Sequence, residues 1–223
     1  MVMKNVTLML SYPRCGSSYV KYFLQKCIGT DKVFDSKYSS AKNKKRKVDY
    51  NYLNAEIAKG NTIFKEHYSE NCWDFDPGSV GLVFMIRNYK ECIPRHIGLR
   101  AMGKMKVLEH CSKYLANLRF YDSWSGKKCI LYYEDIIDNF KSNFDKILKI
   151  IDVNDKLYKE VFDKEEYHRK AVLAIYDRIC GSQTKGQHKI YHSKKISKES
   201  SDLIDSFFKK DKLIKNRYLK RYL

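Results

Sequence analysis

Uninterrupted apolar runs alternate along this chain with longer stretches in which apolar residues return every three or four positions. Val6-Thr7-Leu8-Met9-Leu10-Ser11 is the first run. A run this long without polar alternation predicts a strand buried on both faces. Pro13 and Gly16 punctuate the next residues, and Tyr19, Val20, Phe23, Leu24 and Cys27 then recur at helical spacing. A helix is therefore predicted over Ser17 to Ile28, stopped by Gly29. Strand, short glycine-containing loop and helix together form the opening unit of a nucleotide-binding α/β fold.

The pattern repeats further on. Thr62-Ile63-Phe64-Lys65 reads as a second strand running into Glu66-His67. Val80 to Ile86 is the clearest strand, entered after Pro77-Gly78 and leaving at Arg87. Helical spacing follows over Lys90 to Leu99 and Met105 to Trp124. Lys128 to Tyr133 reads as a fourth strand, leading through Glu134-Asp135 into one amphipathic helix ending at Ile151. Residues 30–60 are polar and lysine-rich, which predicts a basic surface excursion with one short helix near Tyr50 to Lys59. Residues 155–223 read as a mainly helical C-terminal part with a polar loop over Gly181 to Lys195. The expected fold is α/β: a single domain over residues 1–223, P-loop nucleotide-hydrolase-like, with a central parallel sheet flanked by helices.

Composition narrows the partners. Lys and Arg total 44 against 26 Asp and Glu, a net charge of +18. That balance favours phosphates, sulfates or other polyanions, although a lysine-rich background would produce it too. Lys42 to Lys47 is the densest basic run; it reads as a solvated loop, an acidic-substrate contact or a nuclear-import patch. The seven cysteines form no CxxC pair, which argues against a zinc site and suits buried thiols in a reducing compartment. The apolar start is too short for a membrane span and has no small-residue cleavage site, so a cytoplasmic location is expected.

The loop Tyr12-Pro13-Arg14-Cys15-Gly16-Ser17-Ser18 is the first candidate for chemistry. A turn between strand and helix offers backbone N–H groups and the positive end of the helix dipole to an anion. Arg14 adds a fixed charge, and Ser17 and Ser18 add hydroxyl donors, or simply cap the helix. It is not a Walker A sequence, which places lysine directly after its second glycine. A cysteine phosphatase would want an arginine where Lys21 stands.

The segment Tyr-Pro-Arg-Cys-Gly-Ser-Ser-Tyr resembles the 5′-phosphosulfate loop of the sulfotransferase family, YPKSGTTW. Arg14 takes the lysine's place, Cys15 the serine's, Ser17 and Ser18 the threonines', and Tyr19 the tryptophan's; Arg-x-Gly-Ser-Ser is also similar to the carbohydrate branch. Phe84 to Cys92 resembles the family's 3′-phosphate element, with Arg87 at the phosphate-gripping arginine and Arg95 where a serine is usual. Lys65-Glu66-His67 resembles the Lys-Thr-His that ends the second strand. Gly181 to Lys189 resembles the late RKGxxGDWK segment, with Gly186 and Lys189 matching and Lys185 a further phosphate contact. Leu131 to Asp135 is similar to the LxYEDL strand end and is read as structural.

The resemblance implies transfer of a sulfuryl group from 3′-phosphoadenylyl sulfate (PAPS), leaving adenosine 3′,5′-bisphosphate (PAP), with no metal required. His67 would be the general base, with Glu66 competing for that role, while Arg14 and Lys65 would stabilise developing charge. Arg14, Cys15, Gly16, Ser17, Ser18, Tyr19, Arg87, Arg95, Lys185, Gly186 and Lys189 would hold the donor. The acceptor would be a hydroxyl or amine on a small molecule or glycan; for an anionic acceptor, Arg95, Arg100 and Lys104 are candidate contacts. Two alternatives stay open. A magnesium-dependent nucleotide or small-molecule kinase explains the strand-loop-helix unit but not the Arg87 element. A basic nucleic-acid binder explains the charge, yet the chain has no recognised nucleic-acid module.

Overall fold

Five parallel strands hydrogen-bond in the order β2-β3-β1-β4-β5. They are β1 Val6–Ser11, β2 Val33–Asp35, β3 Thr62–Glu66, β4 Gly81–Ile86 and β5 Lys128–Tyr132. This is a computed structural model, and it describes residues 6–30, 33–35, 55, 58, 60–73, 75–97, 103–151, 155–162, 197–211 and 215–222. Around the sheet lie α1 Ser17–Ile28, α2 Tyr89–Ile97, α3 Lys104–Ser123, α4 Tyr133–Asp138, α5 Phe140–Leu148, α6 Asp155–Phe162 and α7 Lys198–Lys210.

β1 is the centre because it is apolar on both faces. Every residue of β1 and of β4 is buried. Leu8 pairs in register with Phe64 on one side and with Leu82 on the other. An all-parallel sheet must be covered on both faces, and this pattern meets that demand. β1 is followed in space by β3 on one flank and β4 on the other, so the chain reverses its direction of winding at β1. Open α/β sheets bind ligands outside the carboxyl ends of their strands at such a reversal.

Two expectations need correction. The 30–60 excursion contains a strand: β2 pairs parallel with β3, Phe34 against Phe64, and these two rings stack with centroids 5.2 Å apart. Three residues are too few to show a periodicity, so only the partner strand reveals them. The single helix expected after β5 is two helices. Asn139 breaks it at φ −147°, ψ 83°, and its side chain accepts from the Ser142 N–H to cap α5.

The six described cysteines, Cys15, Cys27, Cys72, Cys92, Cys111 and Cys129, are buried free thiols, as the sequence suggested. Burial pushes Cys27, Cys111 and Cys129 up to about 12, so these thiols pack as small apolar groups. Among the described residues no helix is long and apolar enough to cross a membrane. The run Lys42 to Lys47, Arg100, and the loop holding Lys185, Gly186 and Lys189 lie outside the described residues. So does most of the helix expected near Tyr50 to Lys59.

Candidate active site

The carboxyl ends of β3, β1 and β4 lie side by side, because Leu10 pairs with Glu66 and with Phe84. His67 therefore emerges on one flank of the loop after β1, and Arg87 on the other. Three segments far apart in sequence become neighbours through strand register alone.

The loop itself adopts a conformation that few sequences accept. Arg14 has φ 72° and Gly16 has φ 80°. For a long side chain such as arginine, left-handed backbone is uncommon and costs about 1 kcal/mol or more. Gly16 is required on a second ground: a Cβ there would lie 2.7 Å from the Tyr133 ring. Gly16 is the N-cap of α1, and no side chain caps the helix start. The first-turn N–H groups thus face the loop with the helix dipole behind them. Ser17 is buried and Ser18 half-buried at this end, whereas Arg14 is exposed. Cys15 turns its side chain into the core beside Cys92, so its backbone is what it can offer a ligand.

His67 is oriented by two contacts. Its Nδ1 lies 3.1 Å from the carbonyl oxygen of Ser11, the last residue of β1. Its own carbonyl accepts from Asn117 Nδ2 at 3.0 Å, and Asn117 Oδ1 accepts from the Ser69 N–H at 2.8 Å. Asn117 is almost wholly buried on α3, so it fixes the turn that carries the imidazole. A carbonyl oxygen only accepts. Nδ1 must therefore carry the hydrogen, and in the neutral ring the lone pair sits on Nε2. Glu66, by contrast, accepts from Asn71 at an exposed position. Lys65 is buried at the end of β3.

Arg87 is held on three sides. Its Nη1 donates to the Arg14 carbonyl at 3.1 Å, while Nε and Nη2 donate to Glu91 Oε2 at 3.2 and 2.7 Å. Its guanidinium carbon lies 3.9 Å from the centroid of the Tyr133 ring. Arg95 Nη2 approaches the same Glu91 oxygen at 3.8 Å. Two guanidinium groups thus converge on one oxygen. Burial and the nearby Arg87 charge lower the pKa of Arg95, a sign of the positive potential there. The Glu91 carboxylate lies between them.

Several of these residues give no sign in the sequence of where they lie. Tyr133 reads as structural in the sequence, yet its ring lies over Gly16 and Arg87. Asn117 stands in no motif, and Glu91 stands within the Phe84 to Cys92 segment with no role assigned to it. A second cluster joins Tyr12, Tyr68, His96 and His110 under the same loop. Tyr12 Oη lies 2.9 Å from His110 Nδ1, and Tyr68 Oη lies 3.0 Å from His96 Nε2. The two imidazole centroids are 5.2 Å apart. Burial, then the positive neighbours, lower His96 to about 4, so this ring is neutral at physiological pH.

The chain has the frame of an α/β protein with a parallel sheet wound about a central β1. No protein-family model and no curated protein matches it. Among solved structures, it is similar to the sulfotransferase domain of the Synechococcus PCC 7002 olefin synthase. That comparison gives a TM-score of 0.49 at 14% identity over 93% of this chain and 97% of that one. It is similar to mouse sulfotransferase SULT7A1, solved with PAP, at a TM-score of 0.46 and 10% identity, over 70% of this chain and 64% of that one. A sugar kinase from Janibacter sp. HTCC2649 gives 0.47 and 8% over 69% of this chain and 98% of that one.

Proposed function

We propose that this chain is a sulfotransferase that moves a sulfuryl group from PAPS to an acceptor hydroxyl or amine. One observation carries the reading. The loop of residues 12–18 lies between an imidazole whose Nδ1 is tied to a carbonyl and an arginine flanked by a second arginine. Such an arrangement suits a donor that is anionic at both ends and an acceptor that must lose a proton.

On this reading the 5′-phosphosulfate lies at the start of α1, against the N–H groups after Gly16 and the hydroxyls of Ser17 and Ser18. The 3′-phosphate replaces the Glu91 carboxylate between Arg87 and Arg95. The acceptor oxygen attacks sulfur as His67 Nε2 takes its proton. The bond from sulfur to the bridging oxygen breaks, and its electron pair stays on the departing phosphate. Arg14 and Lys65 offset that charge. The resemblance of Gly181 to Lys189 adds Lys185, Gly186 and Lys189 as further donor contacts.

Calorimetric titration with PAP, without magnesium, tests the reading. Binding at micromolar concentration or tighter is expected, with ATP–Mg binding more weakly. Preference for ATP–Mg would instead favour a kinase.

A further inference from the structure

Residues 217–222 are far from Glu134 and Asn88 in sequence, yet they end beside them. Arg217 Nη1 and Tyr218 Oη both reach Asp122 Oδ1 at 2.6 Å. Tyr132 Oη donates to the Tyr218 carbonyl at 3.2 Å, and Arg221 pairs with Asp135 at 2.7 Å. The last tie is of another kind. Tyr222 Oη donates to Glu134 Oε2 at 2.6 Å, and Glu134 Oε1 accepts from the Asn88 N–H at 3.1 Å.

The peptide unit joining Arg87 to Asn88 is therefore gripped on both sides. Its carbonyl accepts from the buried Tyr114 hydroxyl at 2.7 Å, and its N–H is held by Glu134. A peptide unit is planar, so fixing both polar ends fixes its rotation. That rotation sets the direction in which Arg87 leaves the backbone. The carboxylate that holds the N–H end is itself held by a tyrosine whose burial raises its pKa, so the hydroxyl keeps its proton and remains a donor.

We propose that Tyr222, acting through Glu134, is a positioning residue for Arg87, and that residues 217–222 are a working part of the anion site. Glu134 Oε2 would otherwise be free to rotate toward Arg221 or solvent. The hydroxyl of Tyr222 keeps the carboxylate turned to Asn88. The effect on nucleotide affinity rests on the sulfotransferase reading; the effect on the peptide does not.

The test compares Tyr222→Phe with Tyr132→Phe. Both remove one hydroxyl that ties the 217–222 segment, but only the first touches Glu134. Amide exchange in the unliganded protein should quicken over residues 86–92 in Tyr222→Phe and stay at the wild-type rate in Tyr132→Phe. PAP affinity should fall roughly five- to tenfold in Tyr222→Phe alone, the loss of one hydrogen bond's worth of orientation. The KM for donor should rise, with the KM for acceptor unchanged. Equal effects of the two variants on exchange and affinity would reduce Tyr222 to a structural tie and overturn the proposal. If wild-type protein binds no PAP, the sulfotransferase reading falls, and the exchange comparison alone decides the role of Tyr222.

Discussion

The Nδ1 atom of His67 lies 3.1 Å from the carbonyl oxygen of Ser11. Ser11 ends β1 and His67 follows β3, so the contact joins the candidate base to the strand that launches the loop of residues 12–18. It also decides the tautomer, leaving Nε2 as the basic nitrogen. Replacing His67 with Ala should lower turnover by about 10²- to 10⁴-fold, the usual contribution of a general base. PAP binding should survive. Steady-state transfer across a panel of hydroxyl acceptors, with PAP titration alongside, checks both halves. Parallel loss of binding and rate would remove His67 from the role of base.

Arg87 is expected to read the 3′-phosphate. Arg87→Ala should weaken PAP by roughly 10- to 100-fold, as loss of a charge-assisted contact does. Adenosine 5′-phosphosulfate has no 3′-phosphate, so its affinity should hardly change. An equal loss for both nucleotides would place Arg87 elsewhere.

On the sulfotransferase reading, Glu91 would compete with that phosphate. Its Oε2 accepts two hydrogen bonds from Arg87, 2.7 Å from Nη2. Glu91→Gln should tighten PAP by roughly three- to tenfold, because the guanidinium no longer surrenders a carboxylate partner. A calorimetric titration showing weaker binding would mean that Glu91 instead orients Arg87 for its ligand.

Gly16→Ala meets two obstacles, a positive φ and the Tyr133 ring 2.7 Å from the new Cβ. Destabilisation of about 1–3 kcal/mol is expected from the backbone and the displaced ring. Chemical denaturation measures it. Wild-type stability together with wild-type PAP affinity would show that the close approach of Tyr133 does not matter.

Burial, aided by His110, Arg14, His67 and Lys113, lowers His96 from 6.5 to about 4. Between those values the unfolded chain binds a proton that the folded chain refuses. Stability is thus fully retained above about pH 6.5 and falls as pH drops toward 4. His110 is lowered by burial as well and acts in the same direction. After allowance for solvent screening, His96 contributes on the order of 1–2 kcal/mol across that window. Melting temperatures measured through it should fall less steeply with acid in His96→Phe; an unchanged slope would contradict this.

The sequence determined a good deal by itself. The apolar runs of β1, β3, β4 and β5 are legible because a strand buried on both faces must be apolar throughout. The positions of His67 and Arg87 are legible because each follows directly on the end of a strand, and those of Arg14 and Gly16 because they lie in the turn from strand to helix; these are the places where a parallel sheet can present ligand-binding groups. β2 was hidden, since three residues have no period of their own. The break at Asn139 was hidden too, because the helical spacing runs on through it while a side-chain cap ends the local hydrogen bonding. Only the tertiary structure decided that Arg87 and Arg95 meet at Glu91, that Tyr133 covers Gly16, and that Tyr222 reaches Glu134. Local pattern reports which face of an element is buried. Such meetings depend on register between strands and on contacts between residues far apart in sequence, 88 positions in the case of Tyr222 and Glu134, which no local pattern encodes.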